Sequence, residues 1–283
     1  MTTPVFEALR VAYPYCVIDV VADKRSSEIL GGAPYLGKIF HREKKGGVIK
    51  TIKLIAELRE TYYDIIIDLR TNLIPVMLRS NKNIFKTKRV STAQHSVEEH
   101  YEAILTLDGV TSPPPKCRLY VEDHAKKEAR QLMKSFVGKK LLAIGPGANW
   151  PGKIWPATRF EELVIDLETY FDGVIQLGSE GEGIVFSEEV NIPNLDLTGK
   201  TNLSSLKAVI KSCQLFIGND SGLGHVAAAL GKRSLTVFGV GDPERYRPWG
   251  HQSAVVIEPS KDLRRLESSH VSNAAKQLVE DSL

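Results

Sequence analysis

Long apolar runs are missing from this 283-residue chain: nowhere do the roughly eighteen uncharged apolar residues needed for a membrane-spanning helix follow one another. Nor does it open with the basic, apolar and small-residue regions of a secretory signal, so a cytoplasmic protein that does not span the membrane is expected. Cysteine is scarce. Cys16, Cys117 and Cys213 are odd in number and lack C-x-x-C spacing, which argues against a disulfide framework or a structural zinc. No cluster of His, Asp or Glu has ligand spacing, so the sequence demands no metal. A large net charge is also absent: +3 is too small to imply nucleic acid, and no nucleic-acid-binding motif accompanies it. With no low-complexity tract, 42% hydrophobic and 25% charged residues describe a globular protein long enough for two ordinary domains.

What charge there is lies unevenly. No acid occurs between Asp68 and Glu98, a stretch that holds Arg70, Arg79, Lys82, Lys86, Lys88 and Arg89. Such a segment suits an anionic lipid headgroup, a phosphorylated sugar acceptor or a membrane surface; a solvated loop is the other reading.

The most informative run is Gly218-Asn219-Asp220-Ser221-Gly222-Leu223-Gly224-His225, continued by alanines to Gly231. It reads as a strand end, a tight polar turn and an Ala-rich helix. Leu215 to Ile217 and Ser234 to Phe238 flank it as strands, giving a strand, helix, strand unit with a parallel crossover. Ligands gather at such strand ends, and the free amides and partial positive charge of the helix start favour phosphate. Asp220 would repel phosphate, which leaves helix capping, a ribose hydroxyl or His225 as its alternatives. His225, one turn past Ser221, points either at the pocket or into the core.

A second run, Gly145-Pro146-Gly147-Ala148-Asn149-Trp150-Pro151-Gly152-Lys153-Ile154-Trp155-Pro156, follows the strand-like Leu141 to Ile144. Thr158-Arg159-Phe160-Glu161 then fits a capping box before an apolar-periodic helix. Lys153, the loop's one cation, is placed to offset charge on a departing diphosphate, or else is a solvated lysine. Trp150 and Trp155 are expected to pack the loop. Other chemistries fail on spacing: Trp150 stands where G-x-G-x-x-G needs its third glycine, no Walker loop occurs, and Ser221 lacks the flanking glycines of a hydrolase elbow.

Elsewhere helix-like and strand-like segments alternate. Val5 to Val11 reads as a helix, Val17 to Val21 as a strand, and Val48 to Leu58 as an amphipathic helix with apolar Val48, Ile49, Ile52, Ile55 and Leu58. Ile65 to Asp68 follows as a strand and Val97 to Leu107 as a helix. Pro113-Pro114-Pro115 is a candidate linker. Leu119 to Val121 still reads as a strand and Asp123 to Phe136 as a charged helix, however, which puts the boundary at 136/137. The second half continues with strands at Val174 to Leu177 and Leu195 to Leu197, a short helix after Glu182, a helix over Leu203 to Lys211 and a closing helix from His270. Strands spaced by helices indicate α/β domains with parallel sheets.

The two polar runs together resemble the signatures of glycosyltransferase family 9, the heptosyltransferases that build the inner core of lipopolysaccharide. Gly145 to Pro156 is similar to the family's loop, and Asp220 to Phe238 with Gly241-Asp242-Pro243 to its second signature. Thr2 to Pro14 looks like its first helix. The resemblance implies two Rossmann-like domains facing a cleft (GT-B), here 1–136 on the acceptor side and 137–283 on the nucleotide-sugar side, with the last helix packing back on the first. It implies inverting transfer of heptose from ADP-heptose to a lipopolysaccharide-core or related glycolipid acceptor, with an ADP-sugar as donor substrate and no cofactor or metal. Lys153, Glu182, Asp220, Ser221, Gly222 and His225 would hold the donor, Lys153 also acting on the diphosphate, and Glu182 is preferred over Glu180. Arg70, Arg79 and Lys82 fall to the acceptor or membrane side, at the cytoplasmic face of the inner membrane.

The chain departs from the family at its start. Family members carry a strand and a Gly-Asp turn before the Thr-Pro of the first helix, and that aspartate is the proposed base; here Met1 stands where the turn should end. Asp68 is then the acid to test as a substitute base. A nucleotide-sugar-binding protein without catalysis and a GT-B-like nucleotide-sugar epimerase remain as alternatives.

Overall fold

The computed structural model describes residues 1–23, 27–43, 47–70, 74–86 and 93–280. Lys88 and Arg89 lie outside the described residues. The chain divides into two compact units, Met1–Pro115 and Lys116–Leu283.

In the N-terminal unit, α1 (Thr3–Ala12) carries Pro4 in its first turn, where the missing N–H costs nothing. Strands β1 (Ile18–Ala22) and β2 (Leu36–His41) form one parallel pair; β3 (Tyr63–Asp68) and β4 (Ser80–Phe85) form another. Among the described residues no backbone ladder joins β1 to β3. A side-chain bond does, from Tyr63 Oη to Asp19 Oδ2 at 3.0 Å. The core of the unit is Val5, Ala8, Leu9, Ile84, Tyr101, Ile104 and Leu107, against which Ile18, Ile65 and Ile67 pack. Helices α2 (Gly47–Leu58) and α3 (Ser96–Tyr101) also belong to it. His95 caps α3 and Glu98 closes the box, accepting the His95 N–H at 3.1 Å.

The C-terminal unit is a six-stranded parallel sheet in the order β10-β9-β8-β5-β6-β7. Its strands are β5 (Leu141–Gly145), β6 (Gly173–Gln176), β7 (Asn194–Asp196), β8 (Leu215–Asn219), β9 (Arg233–Phe238) and β10 (Ser253–Ile257). Every residue of β5 and β8 is buried, as expected of central parallel strands covered on both faces. The connecting helices are α4 (Asp123–Leu132), α5 (Ala157–Asp166), α6 (Leu203–Ser212), α7 (Gly222–Ala229), α8 (Pro243–Tyr246) and α9 (Ser268–Glu280). Leu142, Ile144, Phe160, Leu163, Val174, Ile217, Leu235 and Val237 form the core. Val271 and Ala275 of α9 belong to the same core, so the last helix packs on α5, β9 and β10 of its own unit.

Four expectations are corrected. The boundary falls at Pro115/Lys116, at the end of the proline run, instead of at 136/137. Leu119 to Val121 forms no strand; the Cys117 and Leu119 N–H groups donate to Trp249 O (3.0 Å) and Ala229 O (2.8 Å) of the C-terminal unit. No helix follows Glu182, because Ile184 is held through both backbone groups by the Gln176 amide. The capping box at Thr158 does not form either: α5 already starts at Ala157, and Glu161 accepts the Ser187 N–H at 2.7 Å.

Helix α4 joins the C-terminal unit by packing Ala125 and Ala129 against α6. Beside them Lys207 is fully buried, its Nζ 3.5 Å from Glu122 Oε2, and the Ser204 hydroxyl donates to the same oxygen. Burial pushes the Glu122 carboxyl up, but Ser204 and Lys207 outweigh it and hold it below its ordinary value. Burial likewise pushes the Lys207 ammonium down against the pull of Glu122. A carboxylate held low contributes stability above its unfolded-state value and loses it as pH falls through the folded one. Glu122→Ala removes a charge partner of the buried Lys207 ammonium and should cost about 3 kcal/mol in urea unfolding at neutral pH; it should also flatten the acid limb of the stability curve.

Candidate active site

Strand order reverses between β5 and β8, since β6 and β7 extend from one side of this pair and β9 and β10 from the other. In doubly wound sheets the loops leave such neighbouring strands in opposite directions and open a crevice at their carboxyl ends. Both polar runs lie at this place. The 145–156 loop leaves β5, and Asn219-Asp220-Ser221 leaves β8 to start α7.

Asn219 binds the two together. Its buried amide accepts the Trp155 N–H at 3.0 Å and donates to Pro146 O at 2.6 Å, holding the loop at both ends. Trp155 is fully buried, donates its indole N–H to Leu266 O at 3.0 Å and meets Phe160 edge-on at 4.9 Å. Trp150 is 53% exposed, so only Trp155 packs as expected. The loop therefore leans on a buried anchor and holds Lys153 out over the strand ends.

Lys153 Nζ lies 2.5 Å from Asp220 Oδ2, with the lysine partly exposed and the aspartate buried. Asp220 does not cap α7, because the N-cap is Ser221, and it does not meet a free phosphate site unaccompanied. Its carboxylate fits because residue 241 is glycine: a Cβ there would stand 2.5 Å from Asp220 Oδ2. At the start of α7 the Ser221 Oγ is buried without a hydrogen-bond partner, and Gly222 opens onto free space. A buried hydroxyl without a partner beside free helix amides is a site for an acceptor oxygen from a ligand. His225 is partly exposed one turn along.

Glu182 reaches the same edge from the β6 side. Its Oε2 accepts the Ser179 N–H at 2.7 Å, and its carboxylate occupies the space a side chain at residue 147 would need, so Gly147 permits the approach. Glu180 is exposed. Asp242 caps α8, accepting the Arg245 N–H at 3.2 Å. Arg247 and Trp249 line a separate pocket of about 310 Å³ with Lys116 and Ser253, at the amino end of β10 and away from the carboxyl ends that carry Lys153. Asn219 and Gly241 escape sequence reasoning: each lies inside a recognised run, but its role is a distance to a residue far along the chain.

In the N-terminal unit Asp68 ends β3, buried, its Oδ1 accepting the Arg70 N–H at 2.7 Å. Arg70, Arg79 and Lys82 are exposed but not gathered: Tyr63 pairs with Ser80 and Asp68 with Phe85, which puts Arg79 and Arg70 at opposite ends of the β3–β4 pair. Lys86 pairs with Glu99 at 2.8 Å. Among the described residues no group of three or more His, Cys, Asp and Glu is arranged to hold a metal ion, and no helix is long and apolar enough to cross a membrane.

Two α/β units with parallel sheets, one doubly wound with a cation and a helix start at its switch point, define a Rossmann-like architecture with a site suited to an anionic ligand. The family model of glycosyltransferase family 9 (heptosyltransferase) matches residues 51–273, and the chain belongs to that family of glycosyltransferases. Lipopolysaccharide heptosyltransferase 3 of Escherichia coli (strain K12) is 27% identical over 279 residues, covering 88% of this chain and 81% of its own length. The solved structure of E. coli ADP-heptose lps heptosyltransferase II matches with a TM-score of 0.82 at 21% identity, over 99% of this chain and 95% of that one. E. coli heptosyltransferase WaaC with ADP matches with a TM-score of 0.75 at 17% identity, over 98% and 95%. These structures establish the fold, GT-B with two Rossmann-like domains.

Asn219→Ala would leave the Trp155 N–H and Pro146 carbonyl unpaired in a buried place. It should lower unfolding free energy by about 2–4 kcal/mol, read by urea titration, and loosen the loop that carries Lys153, so that nucleotide affinity falls with stability.

Proposed function

We propose that this chain transfers heptose from ADP-heptose to a hydroxyl of a lipopolysaccharide-core or related glycolipid acceptor, with inversion at the anomeric carbon. The observation that carries this reading is the cluster of Lys153, Asp220 and the partnerless Ser221 hydroxyl at the switch point of a nucleotide-binding type of sheet. The relatives' names support its finer terms, since one is a lipopolysaccharide heptosyltransferase and another was solved with ADP.

On this reading the α7 amides and Ser221 bind the diphosphate, with Gly222 leaving room for it to approach. Lys153 exchanges part of its contact with Asp220 for the phosphate oxygens and stabilises their charge as the sugar departs, where such an interaction accelerates the step. Asp220 keeps the ammonium aimed, Glu182 faces the nucleotide ribose, and His225 completes the donor pocket. Lysine and helix start together offset the diphosphate charge, so no metal is required. Inversion needs a base opposite the departing group to take the acceptor proton. Asp68 is the acid proposed for that task, with Arg70 beside it on the acceptor side; Arg79, at the other end of the β3–β4 pair, does not join them. Donor and lipid-linked acceptor meet at the cytoplasmic face of the inner membrane, where the protein works as a peripheral enzyme.

Calorimetric titration with ADP, UDP and CMP tests the donor half. ADP should bind selectively, and Lys153→Ala should weaken it about ten- to a hundredfold, the size of one charge-assisted contact, with a smaller loss of thermal stability because the buried Asp220 carboxylate loses its partner. No ADP binding by the folded chain would refute the reading. Asp68→Asn should lower kcat by at least about a hundredfold while ADP affinity stays the same; a parallel fall in thermal stability would instead mark Asp68 as the residue that holds the turn at Arg70.

A further inference from the structure

Helix α2 has an apolar face wider than its packed face. Leu54, Ile55 and Leu58 are buried in the N-terminal unit, whereas Val48, Ile49 and Ile52 are 75%, 83% and 59% exposed. At 3.6 residues per turn the exposed trio projects about 120° around the helix from the buried one. Sequence periodicity puts Val48, Ile49 and Ile52 in the core with Ile55 and Leu58; the fold leaves them outside. Three β-branched residues clustered on the water side of a helix contribute neither helix propensity nor burial, so folding does not account for them.

In sequence, the segment that carries this strip is basic. From Lys38 to Lys53 the chain carries six Lys or Arg against one acid, Glu43. Lys44 and Lys45 lie outside the described residues. Lys50 pairs with Glu43 at 2.5 Å, both side chains well exposed, and Lys53 follows Ile49 by one helical turn, bordering the apolar strip. The first turn of α2 holds no acid to offset the positive end of its dipole. A second copy of the chain would bring the same cations face to face, which disfavours self-association through this surface. An anionic bilayer suits both features: apolar side chains enter the acyl boundary while lysines reach the headgroups.

We infer that α2 is a membrane-docking helix that lays Val48, Ile49 and Ile52 into the surface of a bilayer containing anionic lipid. The inference rests on the lipid-linked acceptor for its purpose, and gives the proposed peripheral membrane contact a surface of named residues.

Vesicle sedimentation without donor or acceptor tests it, so failure here leaves the transferase reading untouched. The full chain should pellet with vesicles of phosphatidylethanolamine and phosphatidylglycerol and stay in solution with phosphatidylcholine alone. Ile49→Ser with Ile52→Ser should lower the partition coefficient by roughly tenfold or more, and Lys53→Gln by about fivefold. Ile49→Leu with Ile52→Leu should retain binding, and all variants should keep the parent's thermal stability because the side chains are exposed. Equal partition to both vesicle types, or unchanged partition of the serine variant, would overturn the inference. So would a lipid-free dimer that the serine variant dissolves, since the strip would then be covered by a second copy.

Discussion

A central pair of parallel strands that hand their loops to opposite sides is the constraint on which the C-terminal unit depends. β5 and β8 are buried on both faces and hydrogen-bonded to each other, from Leu142 opposite Leu215 to Gly145 opposite Gly218. Their carboxyl ends therefore stop side by side. Asn219 fills that position and uses its amide to hold the loop from β5 at Pro146 and at Trp155. Once the loop is tied there, Lys153 has one direction to go, toward the carboxylate at the start of the neighbouring segment. Backbone packing thus settles where the charged groups meet.

A carboxylate next to the proposed anion site is the apparent contradiction of this arrangement, and its pairing with Lys153 answers it. Asp220 is buried and already paired with Lys153, so a diphosphate arriving at α7 would meet the pair, whose charges nearly cancel, together with free helix amides and the Ser221 hydroxyl. An ammonium held in place before the ligand arrives needs little reorganisation when charge grows, which is the condition for electrostatic stabilisation of a departing group. The same logic explains Gly241 on the strand side: a Cβ there would displace Asp220 and with it the lysine. Lys207 and Glu122 show the other use of a buried pair. They lie between α4 and α6 and fasten the first helix of the unit to its body.

The N-terminal unit is organised more loosely. Its strands form two separate parallel pairs linked by Tyr63 and Asp19, many of its apolar strand residues are only half-buried, and α2 turns part of its apolar surface to water. Periodicity finds such elements without difficulty, but it cannot say which apolar side of a helix has a partner. Nor could composition put the domain boundary at the proline run, because the hydrogen bonds from Cys117 and Leu119 that bind the following segment to the C-terminal unit go to residues more than a hundred positions away.

Local chemistry was enough to read the α/β class, the parallel crossovers, the family resemblance and the two polar runs at strand ends, because each depends on spacing within one segment. The choice of Trp155 as anchor over Trp150, the pairing of Lys153 with Asp220 and the approach of Glu182 to Gly147 were decided only by tertiary structure. So were the bracing role of Asn219, the clearance at Gly241 and the exposed strip on α2. Each of these is a distance between residues whose neighbourhood is created by sheet order, and sheet order depends on which strands lie side by side, a property that no single segment carries.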